Sequence, residues 1–195
     1  EGFPTNAGFR SLYGATKLAG ELFIEEYASI FGLRCVTNRC GVIAGPGQFG
    51  KTDQGVFTLW VARHVLGGSL SYFGFGGKGL QVRDLLHPRD LFRLIRRQID
   101  ESTQLGGEVY GAGGGVAGAV SLREYTELCQ QATDRSVAVG ARPETAAVDV
   151  PYFVTDCSKA SARFGWRPQI GPAEIVRDIA AWIGTERELL AGLFN

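Results

Sequence analysis

Glycine constrains this chain more than any other residue, taking 28 of its 195 positions, about double the usual share of ~7%. It is also bunched, between Gly45 and Gly50, Gly74 and Gly79, and Gly113 and Gly118. Glycine reaches positive φ without steric cost and lets another backbone or a ligand come close. A chain with three such bunches folds into short regular elements joined by tight turns, with several places where a ligand can lie against bare backbone.

Composition narrows the choice. At 45% apolar and 21% charged the chain can bury a core and is not a disordered segment. Its length suits one domain or two small lobes. Twenty basic side chains balance twenty acidic ones, leaving no bulk field to hold nucleic acid or an anionic membrane. No apolar run approaches the ~20 residues that span a bilayer, and the N-terminus lacks a basic-then-apolar secretion signal. A cytoplasmic protein with neither a nucleic-acid nor a membrane partner is expected. The cysteines Cys35, Cys40, Cys129 and Cys157 form no CxxC pair, and His64 and His87 lie in different segments, so no zinc-ligand spacing is present. The thiols are read as reduced. Methionine is absent, even at position 1, which reads as a processed start or a start inside a longer product.

The element order is mixed α/β. Tyr13 to Phe31 has helical periodicity, with Leu18, Leu22, Phe23, Tyr27 and Ile30 on one face and Gly32 as a left-handed stop. A strand follows over Leu33 to Arg39, and then the loop Cys40 to Gly50. Helix, strand and loop in that order make one βαβ step, with the loop at the strand end where parallel sheets hold ligands. Gln54 to Leu66 reads as a helix. Leu70 to Phe73 and Leu80 to Val82 read as a hairpin about the Gly74 to Gly79 turn. A helix over Asp90 to Ile99, a strand at Glu108 to Tyr110 and a helix opened by the Ser121/Glu124 capping box come next. Asp156 is expected to cap a short helix ending at Gly165, and Pro172 to start another. Thr185 with Glu188 reads as a further capping box. Trp60, Trp166 and Trp182 are read as core.

Two segments match GxGxxG. Gly74 to Gly79 leads to no helix, and Gly113 to Gly118 follows only a short strand and opens no convincing βαβ unit with an acidic residue about 20 positions on, so both are read as loops rather than dinucleotide fingerprints. Tyr13 and Lys17 lie four apart in a helix and share a face. An ammonium beside a phenol favours its ionised form, so such a pair can move protons at neutral pH. Gly14, Ala15 and Thr16 between them would admit a flat ligand. Arg83 could grip a diphosphate through its planar fork, or belong with Asp84, His87 and Asp90 to a capping and salt-bridge cluster. His87, before Pro88, is read as a turn histidine. Asp53 and Gln54 at a helix start could cap it, or their backbone could meet an anion.

Ser11-Leu12-Tyr13-Gly14-Ala15-Thr16-Lys17 resembles the Tyr-x-x-x-Lys segment of the extended short-chain dehydrogenase/reductases, the NAD-dependent sugar-nucleotide epimerases and dehydratases. Further blocks resemble that family in order: Asn38 to Gly41, Gly45 to Gln48, Asp53-Gln54-Gly55, Gly79 to His87, Asp156 to Ala160 and Gly165 to Pro168. The Asp-Gln-Gly and Gln-Val-Arg-Asp blocks are most similar to the CDP-paratose/CDP-tyvelose 2-epimerase branch. The resemblance implies the C-terminal part of a Rossmann-type parallel sheet plus a small α/β substrate-binding lobe. Residues 1–50 would end the NAD-binding domain, and 51–195 would form mainly the nucleotide-sugar lobe, intertwined with it.

It further implies that Tyr13 is the catalytic base and that Lys17 poises it while holding the NAD ribose. Cys40, Gly41 and Val42 would face the nicotinamide. Gln48, Gln54, Gly55, Val56, Arg83 and Asp156 would bind the nucleotide-sugar substrate, with Arg83 on its diphosphate, and two copies would pair through the Tyr13 helix as a homodimer. A sugar-nucleotide 4,6-dehydratase and a non-catalytic nucleotide-binding fragment are the alternatives. The family's dinucleotide glycine motif lies upstream of its Tyr, so the chain is expected to be a C-terminal portion that binds NAD poorly by itself. Val42, Ala44 and Pro151 depart from residues common in the family, and these departures bear on which sugar is bound.

Overall fold

The computed structural model describes residues 11–50, 55–101, 103, 105–147 and 149–194. Helix α1 spans Leu12–Phe31, capped by the Ser11 hydroxyl, which accepts from Gly14 N at 3.1 Å, and closed by Gly32 at φ 64°. Strand β1, Val36–Cys40, and the two-residue β2, Val42–Ile43, follow. Thus the stretch expected to be all loop contains a short strand. Helix α2 is Val56–Leu66 and β3 is Leu70–Phe73. Next come β4, Val82–Leu86, α3, Pro88–Asp100, and β5, Glu108–Ala112. The chain continues through β6, Ala119–Ser121, α4, Leu122–Thr133, and β7, Val139–Arg142. It ends with β8, Tyr152–Phe153, α5, Ser158–Phe164, α6, Pro172–Thr185, and α7, Arg187–Ala191.

Pairing is mostly parallel. Strand β1 lies beside β5, with Val36 opposite Glu108 and Cys40 opposite Ala112. Strand β4 is central to a second group, parallel to β2 and β8 and antiparallel to β6. Its Asp84, Leu85 and Leu86 are all buried, the continuous run expected of a strand covered on both faces. Strand β3 pairs with β7, not β4, so the expected hairpin does not form. The intervening turn holds Gly74, Phe75, Gly76, Gly77 and Gly79 at positive φ, and this irregular backbone carries the two strands into different sheets.

Two apolar clusters hold the elements. Helices α2, α4 and α6 meet around Phe57, Trp60, Tyr125, Ile175, Ile179 and Ile183. The sheet packs on α3 and α5 around Leu86, Leu94, Tyr110, Phe164 and Trp166. At ~1.5–3 kcal/mol for each large apolar side chain fully buried, these layers dominate the stability. Trp60 and Trp166 are core as expected, while Trp182 is only partly buried. Buried Asp90 accepts from Gln169 N and Ile170 N at 3.1 and 2.9 Å and pairs with Arg93, pinning the turn after α5. The Ser121/Glu124 capping box is present, and Pro172 occupies the first turn of α6. The Thr185/Glu188 box is not. Thr185 closes α6 and donates to Ala181 O at 3.0 Å, and α7 starts without a side-chain cap. None of the four cysteines forms a disulfide. Among the described residues no helix is long and apolar enough to cross a membrane.

Helix α1 stands apart, with no buried residue although Leu22, Phe23, Tyr27, Ile30 and Phe31 are large and apolar. Its expected apolar face is real, but nothing in the described chain covers it.

Candidate active site

The βαβ step delivers the Tyr13 and Lys17 side chains from the first turns of α1 to the C-terminal end of β1. The Lys17 ammonium lies over the Tyr13 ring, 5.4 Å from its centroid. The helix is tied to the strand by an ion pair that sequence reasoning missed: Arg39 Nη2 meets Glu21 Oε2 at 2.7 Å, and Arg39 Nε is 3.1 Å from both carboxylate oxygens. A bidentate pair of this kind fixes orientation as well as distance. Asn38 and Gln98 exchange two amide hydrogen bonds at 2.9 Å, anchoring β1 to α3.

These elements wall a cleft of about 720 Å³. Tyr13, Lys17, Cys40, Gly41, Val42, Gln48, Gly55, Val56 and Arg83 all line it, with Glu21, Asn38, Arg39, Ile43 and Phe57. Every site residue expected from the sequence is thus brought together, except two. Gln54 lies outside the described residues. Asp156 is not among the residues lining this cleft, and its carboxylate accepts from Ser158 N at 2.8 Å at the start of α5. Hydrogen bonds from the Ser158 backbone and hydroxyl hold that carboxyl below its usual range. The N-cap of α5 is Cys157, not Asp156 as expected, and Asp156 bonds the first helical residue from one position further out instead of lining the cleft.

Gly41 sits where the cleft floor meets a buried polar knot. A side chain there would meet Thr155 Oγ1 at 2.8 Å and Asp84 Oδ2 at 2.9 Å, and one at Gly113 would collide with both. Asp84 Oδ2 also accepts from Gly115 N at 3.1 Å. The second GxGxxG segment is therefore a loop clasped by Asp84 against the floor. Gln48 lines the cleft with its amide already engaged: Nε2 donates to Ile43 O at 2.9 Å, and Oε1 accepts from Thr58 at 2.6 Å. It braces the glycine loop between β2 and α2. His87 is the N-cap of α3, its Nδ1 accepting from Arg89 N at 3.1 Å, as expected of a turn histidine. Burial holds its pKa below the ordinary value despite Asp178 at 3.4 Å.

A second cavity of about 460 Å³ shares Val56, Phe57 and Arg83 with the cleft and continues past Leu70, Phe73, Gln81, Arg142 and Asp149. Arg83 stands at the junction, its Nη2 on Asp149 Oδ1 at 2.7 Å and its Nη1 on Val82 O at 2.7 Å. Gly55, in the left-handed conformation at φ 68°, offers no side chain to cap α2 beside it. A guanidinium and the start of a helix both favour an anion at this junction. Beyond it, Arg142 stacks over the Phe73 ring at 5.2 Å. Phe73, Arg142 and Asp149 were not singled out in the sequence, and only their apolar or charged character could have hinted at them.

A phenol beside an ammonium, a bare backbone floor and an arginine shared with a second cavity thus meet in one region, and the sequence of the same region decides its kinship. Residues 4–113 match the NAD dependent epimerase/dehydratase family. The chain belongs to that family. Among curated relatives of this epimerase/dehydratase chain, a CDP-paratose 2-epimerase from Salmonella typhi is 29% identical, covering 91% of this chain and 53% of its own length. A dTDP-glucose 4,6-dehydratase from Actinoplanes is 28% identical, over 91% of this chain and 52% of its own. A solved dTDP-glucose 4,6-dehydratase from Bacillus anthracis, in complex with NAD, has a TM-score of 0.79 at 21% identity, covering 97% of this chain and 57% of that one. The fold is the Rossmann-like one of the epimerases and dehydratases. The chain spans about half the length of the curated relatives it matches.

Proposed function

We propose that the protein to which this chain belongs epimerises a nucleotide sugar with NAD, and that residues 1–50 complete its cofactor domain while 51–195 form mainly the sugar-nucleotide lobe. One observation carries the reading: Tyr13 and Lys17 share a cleft with Arg83, which joins it to a second cavity. A nucleotide sugar has that layout, with a reacting sugar at one end, a diphosphate in the middle and a nucleoside at the other. The kinship with a CDP-paratose 2-epimerase makes a CDP-linked hexose the first substrate to try.

The residues fit the nicotinamide-ribose end of the cofactor. Lys17 supplies a cation and hydrogen-bond donor, and Gly41, where a side chain would strike Thr155 and Asp84 beneath the floor, lets the Cys40–Val42 backbone lie against them as a surface for a flat ring. When bound, NAD supplies a reversible hydride acceptor. Tyr13 takes the proton of the sugar hydroxyl at its phenolate oxygen and becomes neutral, and the Lys17 ammonium stabilises the negative charge that this oxygen carries beforehand. Arg83 leaves Asp149 to hold the diphosphate through paired N–H donors, while Gln48 keeps the glycine loop and α2 in register around the sugar. Asp156 takes no part. The exposed apolar face of α1 supports a homodimer through that helix. Light scattering would read twice the protomer mass, and a monomer at high concentration would refute it.

The test is turnover of CDP-, UDP- and dTDP-hexoses by the full protein. Tyr13→Phe is expected to lower turnover by ~10²–10⁴-fold, the usual worth of a positioned acid or base, with NAD affinity unchanged in calorimetry. Unaltered turnover would remove Tyr13 from the mechanism, and a 4-keto-6-deoxy product would replace epimerisation by dehydration.

A further inference from the structure

A concentration of positive charge lies at the opposite end of α2 from the cleft. There a hollow of about 410 Å³ is lined by Arg135, Arg177 and Arg187, with Val65, Ala132 and Ala181. The arginines come from three places: just past α4, within α6 and at the start of α7. Arg135 Nη1 and Arg187 Nη1 donate to the same acceptor, Val65 O at the end of α2, at 2.9 and 3.2 Å. Among the described residues none of the three enters an ion pair, although arginines elsewhere pair with Glu21, Asp90, Glu101, Asp149 and Asp178.

The end of α2 contributes only about −0.5 charge against three guanidiniums, and among the described residues no carboxylate lies within ion-pair distance of any of them. Bringing like charges together over alanine methyls costs free energy that a bound anion would recover. Each guanidinium is a planar fork with five N–H donors, and Val65 O holds two of the forks in place with most donors unspent. A monoanion would engage one fork. The hollow is within the ~300–1,000 Å³ range of small-ligand sites, and its three forks match the several oxygens of a diphosphate.

We propose that this hollow is a second anion site that takes a diphosphate group. The eleven residues of α2, at 1.5 Å rise each, place it about 16 Å from the cleft. The diphosphate could be free or part of a nucleotide. The probe is inorganic pyrophosphate, titrated calorimetrically at about 150 mM salt, where distant charges are screened, into Arg83→Gln protein so that the cleft lacks its own anion ligand. One saturable site is expected. Adding Arg177→Gln, which removes no hydrogen bond found in the structure, should weaken it at least about threefold. Adding Arg177→Gln with Arg187→Gln should weaken it about tenfold or more, a change of about 1.4 kcal/mol. A thermal midpoint held within a few degrees shows that these variants fold. CDP or UDP binding more tightly than pyrophosphate would identify a nucleotide as the source, and equal affinity a free diphosphate. Absence of saturable binding, affinity unchanged in both variants, or equal binding of sulfate would overturn the proposal.

Discussion

Helices α1 and α6 are both rich in large apolar side chains, yet they are held in opposite ways. Ile175, Ile179 and Ile183 of α6 are fully buried against α2 and α4, whereas α1 has no buried residue and is held by its caps and the Glu21–Arg39 pair. Tyr13 and Lys17 therefore ride on an element with no buried residue of its own. Arg83 and the start of α2, where the proposed diphosphate would sit, stand on elements with several buried residues. Binding and chemistry should accordingly respond to different insults.

The largest stability effect should come from the buried side. Ile179→Ala removes methylenes from a site of zero exposure and should cost ~2–5 kcal/mol, read as a fall in the denaturation midpoint. A loss below about 1 kcal/mol would mean that the α2–α4–α6 layer is not the core. Ser121→Ala breaks the capping box of α4 and should cost ~0.5–2 kcal/mol. At the small end, Phe23→Ser on α1, exposed by 67%, should change the stability of the isolated chain by no more than ~0.5 kcal/mol. A larger loss would show that this face is covered in solution and would erase the contrast.

Acid should also separate the regions. Burial holds His64 and His87, both outside α1, below their ordinary 6.5. A base with a depressed folded pKa takes up its proton more readily when unfolded, so its contribution is complete above 6.5 and is lost as pH falls through that value. The melting temperature should stay level from about pH 8 to 7 and decline below about 6.5, less steeply in His64→Gln. Glu124, lowered from 4.5 by its bonds from Ser121, adds its loss only below that value. A midpoint flat to about pH 5 would contradict the burial of both imidazoles.

What could be read in advance was local. Gly32, Ser121 with Glu124, and Pro172 each act within one turn of their own backbone, and Tyr13 and Lys17 needed only the helical repeat to meet. What escaped depends on distant partners. Leu70 to Phe73 and Leu80 to Val82 have the composition of a hairpin, but β3 is claimed by Val139–Arg142 and β4 by β2, β6 and β8. The apolar Leu85-Leu86 pair extending that second strand was the available sign of a buried parallel strand. Asp149 on Arg83 and Glu21 on Arg39 are choices among many equivalent charges, which spacing cannot rank. The family resemblance supplied the membership of the cleft, but not that Gln48 would be occupied as a brace or that Asp156 would face elsewhere.

The parallel match of Val36–Cys40 with Glu108–Ala112 also sets a schedule. During synthesis the ledge at Cys40 lacks its lateral neighbour until most of the intervening lobe has emerged, and contacts so distant in the chain close slowly. The Cys40 ledge can thus be completed before the α2–α4–α6 layer, whose last helix ends at Thr185, has left the ribosome.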